Sequence, residues 1–182
     1  MTKITLLGDS IRIGYGKIVP TLLGDGYTVF QPQENCRFAK YTLRGIFDWR
    51  DDIADSDIIH WNNGLWDCTT CVDGNPFTDI DEYVKTMLRV ADLLKERTEK
   101  VIFATTTPVN GDAAFDKNEL ISRYNSAIVP ELEKRGILIN DLHSVVFPKL
   151  SSYICHDCIH LTDDGYTACA EAVVRAIKSC EK

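Results

Sequence analysis

The chain has 182 residues, of which 45% are hydrophobic and 26% charged, with a formal net charge of -7. That length suits a single domain over 1–182 with a sizeable core, and the acidic balance disfavours nucleic acid or an anionic membrane as the main partner, because phosphate binding needs clustered Lys and Arg. No apolar stretch approaches the roughly 20 residues that span a bilayer, and the run after Met1-Thr2-Lys3 is too short for a signal h-region, so a soluble, cytoplasmic protein is expected.

The predicted elements alternate in type. Ile4-Leu7 reads as a first strand that stops at Gly8-Asp9-Ser10. The glycine turn Gly14-Tyr15-Gly16 is expected to lead into the first helix. Thr28-Phe30 follows the turn Gly24-Asp25-Gly26 as a short second strand, and Asp57-Trp61 is a third. Asp79-Arg97 carries Tyr83, Val84, Met87, Leu88, Val90, Ala91 and Leu94 near a 3.6 period, which predicts an amphipathic helix. Lys100-Thr105 is a fourth strand. Asp116-Arg135 is helical in pattern through Leu120, Ile121, Tyr124, Ile128 and Leu132, with Pro130 expected to end or kink it. Gly136-Asn140 is a fifth strand, and Asp164-Ser179 a closing helix with Thr162 or Asp163 as its N-cap. Short runs rich in Ile, Val and Phe, alternating with helices, predict a parallel sheet covered on both faces. Ligands of such sheets bind beyond the carboxyl ends of the strands. The stretches of interest are therefore Gly8-Ser10, Gln33-Arg37, Asn62-Asp67, Thr106-Gly111 and the region after Asn140.

Three glycine motifs fail at the first turn. A phosphate loop needs a hydroxyl after its lysine, and Gly16-Lys17-Ile18 lacks one; a dinucleotide fingerprint needs a third glycine, absent at Val19. The hydrolase elbow GxSxG needs a second glycine, and Arg12 stands there. What remains is a turn serine that is either a helix cap or a nucleophile. A nucleophilic serine needs a histidine base and an orienting carboxylate. Among the four histidines, His160 lies three residues after Asp157 in Cys155-His156-Asp157-Cys158-Ile159-His160, close enough for the two side chains to meet on one short turn.

Gly8-Asp9-Ser10 near one end and Asp157-x-x-His160 near the other, continued by Leu161-Thr162-x-x-Gly165-Tyr166, resemble the SGNH (GDSL-type) hydrolase superfamily. The resemblance implies a three-layer α/β/α sandwich with a five-stranded parallel sheet, flavodoxin-like in its order. It implies that Ser10 attacks an ester carbonyl, that His160 is base and then acid, and that Asp157 orients the imidazole. It implies a small-molecule ester substrate, with acetyl esters, those of carbohydrates among them, as first choice and thioesters or lysophospholipids as further options. No metal or organic cofactor is implied; a homo-oligomer is possible. The family's middle blocks supply oxyanion donors. Here Asn62-Asn63-Gly64-Leu65-Trp66-Asp67 replaces the usual GxND, which points to Asn62 as side-chain donor with Asn63 as runner-up. The glycine of the second block is missing at Glu34-Asn35-Cys36-Arg37, leaving a backbone N–H of Cys36 or Arg37, together with that of Ser10.

The altered blocks keep a non-catalytic carbohydrate- or ligand-binding module as an alternative. A third alternative, a thiol or zinc protein, rests on the pairs Cys68/Cys71 and Cys155/Cys158 among the seven cysteines, although the wide gap between pairs favours plain thiols. His60 is read as a hydrogen-bonded core histidine, His143 as a capping or packing residue and His156 as an exposed neighbour of Asp157. Arg12 and Arg37 are read as solvated, with contact to an anionic substrate as the alternative, and Trp49, Trp61 and Trp66 as core by default, with walling of the pocket as theirs.

Overall fold

The computed structural model describes residues 1–111 and 113–181. Asp112, within the loop expected between Thr106 and Phe115, lies outside them. In chain order the elements are β1 Thr2–Leu7, α1 Ser10–Gly16, α2 Val19–Leu23, β2 Tyr27–Phe30, α3 Ala39–Asp48, β3 Ile58–Trp61, α4 Leu65–Cys68, α5 Ile80–Lys95, β4 Val101–Ala104, α6 Asn118–Glu133, β5 Leu138–Asn140, α7 Leu142–Val146, α8 Leu150–Tyr153 and α9 Asp163–Ser179. No helix of the described residues is long and apolar enough to cross a membrane.

The five strands form one parallel sheet in the order β2-β1-β3-β4-β5. Alternation along the central strands β1, β3 and β4 feeds two separate cores. Leu7, Ile59, Trp61 and Phe103 pack with α3, α5 and α6 on one face, and Ile4, Leu6, Ile58 and Ile102 pack with α1, α7 and α9 on the other. Successive side chains of a strand point to opposite faces, so a strand buried on both reads as a continuous apolar run. This is why the five strands were visible as short runs. The layers are α/β/α, and the order in which strands are added reverses between β1 and β3, the place where open sheets of this kind leave a crevice.

Two expectations about helices are corrected. Gly14 and Gly16 do not precede the first helix but lie in it, because Asp9 starts the helix earlier: its side chain accepts the N–H of Ile11 at 3.0 Å. Gly14 is there for contact, since a Cβ on it would meet the Tyr166 ring of α9 at 2.0 Å. Pro130 does not end α6, which runs on to Glu133. Its missing N–H would have bonded Ser126, and both residues lie on the exposed side, where water can serve the carbonyl instead. Helix α3 was not predicted from the sequence; its start, Phe38, offers no side-chain cap. Its capping acceptor comes from far along the chain, as Asp67 Oδ2 takes the N–H of Ala39 at 2.9 Å.

Candidate active site

The site is built on the turn after β1 and the loop before α9. Gly8 has φ +154, and a Cβ there would meet Asn62 Oδ1 at 2.0 Å, so only glycine lets the strand turn against β3. Asp9 caps α1, and Ser10 becomes its first residue, partly exposed at the carboxyl edge of the sheet. The opposite wall is the segment Ile154–Leu161, pinned at its base by an antiparallel bridge between those two residues and by Cys155 N–H donating to His160 O at 2.7 Å. Within it, Cys158 takes the left-handed φ of 68° and donates to Cys155 O at 3.0 Å. Thr162, accepting from Gly165 N–H at 3.2 Å, then starts α9 at once. Because α9 packs on α1 through Tyr166 and Gly14, the two walls are held to each other.

These walls bring three side chains into a line. His160 Nε2 lies 2.9 Å from Ser10 Oγ, and His160 Nδ1 lies 2.7 Å from Asp157 Oδ2. Asp157 Oδ1 accepts the N–H groups of Ile159 at 3.0 Å and His160 at 2.9 Å. Burial alone would push this carboxyl up, but the Ile159 N–H, the His160 ring and the His160 N–H outweigh it and hold it at about 2. An acceptor-only carboxylate fixes Nδ1 as the protonated nitrogen, so Nε2 presents a lone pair to the serine hydroxyl.

The expected oxyanion donors are placed differently. Cys36 does not offer its N–H to the site: Gly8 O takes it at 3.0 Å, and the thiol accepts Gly8 N–H at 3.2 Å. The N–H of Arg37 is taken by Asn35 Oδ1 at 2.7 Å. Asn63 is fully buried, accepting from Trp61 Nε1 at 3.1 Å and donating to Arg37 O at 2.9 Å, so it clamps the second block to the third. Asn62 donates one Nδ2 hydrogen to Asp9 Oδ1 at 2.9 Å; its second is in no hydrogen bond among the described residues. The N–H of Ser10 is likewise unengaged among them.

Beneath the site runs a buried polar chain. Asn140 Nδ2 lies 3.1 Å from His60 Nε2, His60 Nδ1 is 3.4 Å from Tyr15 OH, and Tyr15 OH donates to Asn62 Oδ1 at 3.2 Å. With Asn62 donating to Asp9, every link runs in one direction if His60 is neutral and protonated on Nδ1. Burial pushes His60 down to about 3, which keeps it neutral, and pushes the Asp9 carboxyl up despite bonds from Asn62 and Ile11.

Arg12 is not solvated. It is 1% exposed, and its guanidinium donates to Pro32 O at 2.9 Å, Gly8 O at 3.2 Å and Glu34 O at 2.6 Å. It fastens the second block to the turn that carries Ser10. The seven cysteines are free thiols, and no group of three or more His, Cys, Asp or Glu converges as a metal site among the described residues. Cys155 and Cys158 turn their sulfurs to different carbonyls, those of Leu161 and His156.

A cavity of about 400 Å³ opens beside the serine, lined by Ser10, His160, Asn35, Leu65, Trp66, Thr69, Asp116 and Ile159. Asn35 lies in the second block, whereas Thr69 and Asp116 had no motif to mark them. A second cavity of about 500 Å³, at the β5 edge around Asn125, Asp141 and His143, contains none of the three aligned residues.

No family model matches the chain. It is 24% identical over 163 residues to the GDSL esterase/lipase WDL1 of Oryza sativa subsp. japonica; the match covers 81% of this chain and spans 63% of that relative's own length. A lipase/acylhydrolase from Enterococcus faecalis superposes with TM-score 0.78 at 17% identity, covering 98% of this chain and 96% of that one. An acetyl xylan esterase from Geobacillus stearothermophilus gives TM-score 0.77 at 16% identity, with 97% and 94% covered. The fold is thus that of the GDSL-type hydrolases, a five-stranded parallel α/β/α sandwich. The chain is similar in sequence to a curated GDSL esterase/lipase and in fold to these solved hydrolases.

Proposed function

We propose that this protein is a serine ester hydrolase acting on small acyl esters, with acetyl esters of carbohydrates or related small alcohols as the first class to test. The observation that carries the reading is the unbroken chain Ser10 Oγ–His160 Nε2 at 2.9 Å and His160 Nδ1–Asp157 Oδ2 at 2.7 Å. In this reading His160 takes the hydroxyl proton as Ser10 attacks the carbonyl carbon. The imidazolium that forms is stabilised by Asp157, then gives its proton to the departing alcohol oxygen. Water repeats the sequence on the acyl-serine and releases the acid. The charge on the tetrahedral oxygen is met by the unengaged N–H of Ser10 and the second Nδ2 hydrogen of Asn62; one such donor is typically worth about 3–4 kcal/mol. The acetyl xylan esterase among the structural neighbours supports the choice of acetyl esters, and the modest cavity supports a short acyl group.

The direct test is p-nitrophenyl acetate hydrolysis by the parent and by Ser10→Ala. The parent is expected to turn over, and Ser10→Ala to lose at least about 10⁴-fold in kcat. Activity that survives the substitution would sink the reading.

A further inference from the structure

The cavity beside Ser10 holds one charged group that this hydrolysis does not use. Asp116 is 6% exposed, and its carboxylate forms part of the cavity wall. Oδ1 lies 2.5 Å from the Thr69 hydroxyl. That hydroxyl also sits 2.8 Å from Leu65 O and has a single proton to give, so Asp116 has at most one donor. Oδ2 accepts no hydrogen bond, and no cation pairs with Asp116, among the described residues. Lys117, next in the chain, turns away and donates to Ala113 O at 3.0 Å. Oδ2 is not among the buried polar atoms that lack a partner, so it stays open to the cavity, and a bound molecule that displaces water from it leaves a costly bare carboxylate unless that molecule pairs with it. The walls around it, Leu65, Trp66 and Ile159, are apolar. In such surroundings its field acts on an entering molecule with little screening.

We propose that Asp116 is a specificity residue that selects esters whose non-reacting part carries a hydroxyl or ammonium group and rejects esters that carry a second anion. This rests on the serine hydrolase reading above. A hydroxyl or ammonium hydrogen supplies the missing donor to Oδ2, whereas an alkyl group of the same size leaves the carboxylate unpaired and desolvated. A substrate carboxylate adds like-charge repulsion at close range. Asn35 and Thr69, on the same wall, offer further polar contacts to a hydroxylated group.

The test compares kcat/KM within three pairs, the first two matched in size. Protonated 2-(dimethylamino)ethyl acetate is set against its uncharged carbon analogue 3-methylbutyl acetate, glycerol monoacetate against 2-methylbutyl acetate, and 4-acetoxybenzoate against phenyl acetate. The parent is expected to prefer the cationic or the hydroxylated member by about tenfold to a hundredfold, as one charge-assisted hydrogen bond would give. Which of the two pairs shows the preference tells ammonium from polyol. The anionic member of the third pair is expected to be slower by a similar factor. Asp116→Asn is expected to bring each ratio within about threefold of one. A parent that hydrolyses phenyl acetate with no preference in either of the first two pairs overturns this proposal and leaves the hydrolase reading standing, and needs no variant to show it. A preference that survives Asp116→Asn overturns it equally. A parent that hydrolyses none of the six esters overturns both.

Discussion

Two polar chains run side by side in this protein, each holding a carboxylate, an imidazole and a hydroxyl. Asp157, His160 and Ser10 sit at the rim. Asp9, His60 and Tyr15 lie beneath, joined through Asn62. Burial separates them. Asp157 is half-exposed, receives three hydrogen bonds and stays ionised down to about 2. Asp9 is 1% exposed and its carboxyl is pushed up; His60 is fully buried and pushed down to about 3. The rim chain can therefore hold a charge on its imidazole while a proton moves, and the lower chain cannot. On the proposed reading, the same residue types make a relay in one place and a scaffold in the other.

Replacing the two histidines breaks this contrast most sharply. His160→Ala is expected to lose at least about 10⁴-fold in kcat with little change in melting temperature. His60→Leu is expected to do the reverse, lowering stability by about 2–3 kcal/mol because Tyr15 and Asn140 lose their buried partner. The folded His60→Leu protein should keep its turnover within about tenfold. Steady-state rates with thermal unfolding of both variants decide it, and a dead but stable His60→Leu would mean the lower chain takes part in the chemistry.

A smaller effect sharpens the comparison through pH. Asp67, which caps α3 from a distance, is held up at about 7, chiefly by burial. Its folded value lies above the unfolded one, so its contribution to stability is present below about pH 4 and lost as pH rises toward 7. His60 acts with the opposite sign: its folded value of about 3 lies below the unfolded 6.5, so stability is lost as pH falls below 6.5. Over pH 4 to 6.5 the two oppose each other. Asp67→Asn removes the first, so melting temperature should rise more steeply with pH in the variant. The expected gain relative to the parent between pH 4.5 and 7 is on the order of 2 kcal/mol, or about 5 °C. An unchanged difference between the two pH values would contradict the assignment.

The rim chain was legible in the sequence because each half is a local motif. Gly8-Asp9-Ser10 is a strand end, a cap and a hydroxyl; Asp157 and His160 are three residues apart on a turn closed by their own backbone. The strands were legible because both faces of the sheet are buried. What could not be read depends on residues that meet only in the fold. Arg12 looked like a surface charge because the carbonyls that hold it come from Pro32 and Glu34. Helix α3 was missed because its cap, Asp67, lies far along the chain. Cys36 looked able to donate into the site until Gly8 O was found to accept its N–H. Asp116 carries no motif at all and gains a meaning only from the cavity it lines.

The central claim is that the His160–Asp157 pair makes Ser10 a nucleophile. An alkyl fluorophosphonate, followed by peptide mass analysis, tests it without knowledge of the substrate. The expected result is one phosphonyl group per chain on Ser10, with the labelling rate lowered by at least about a hundredfold in His160→Ala. Label on another residue, or a labelling rate at Ser10 that does not change in His160→Ala, would contradict the account.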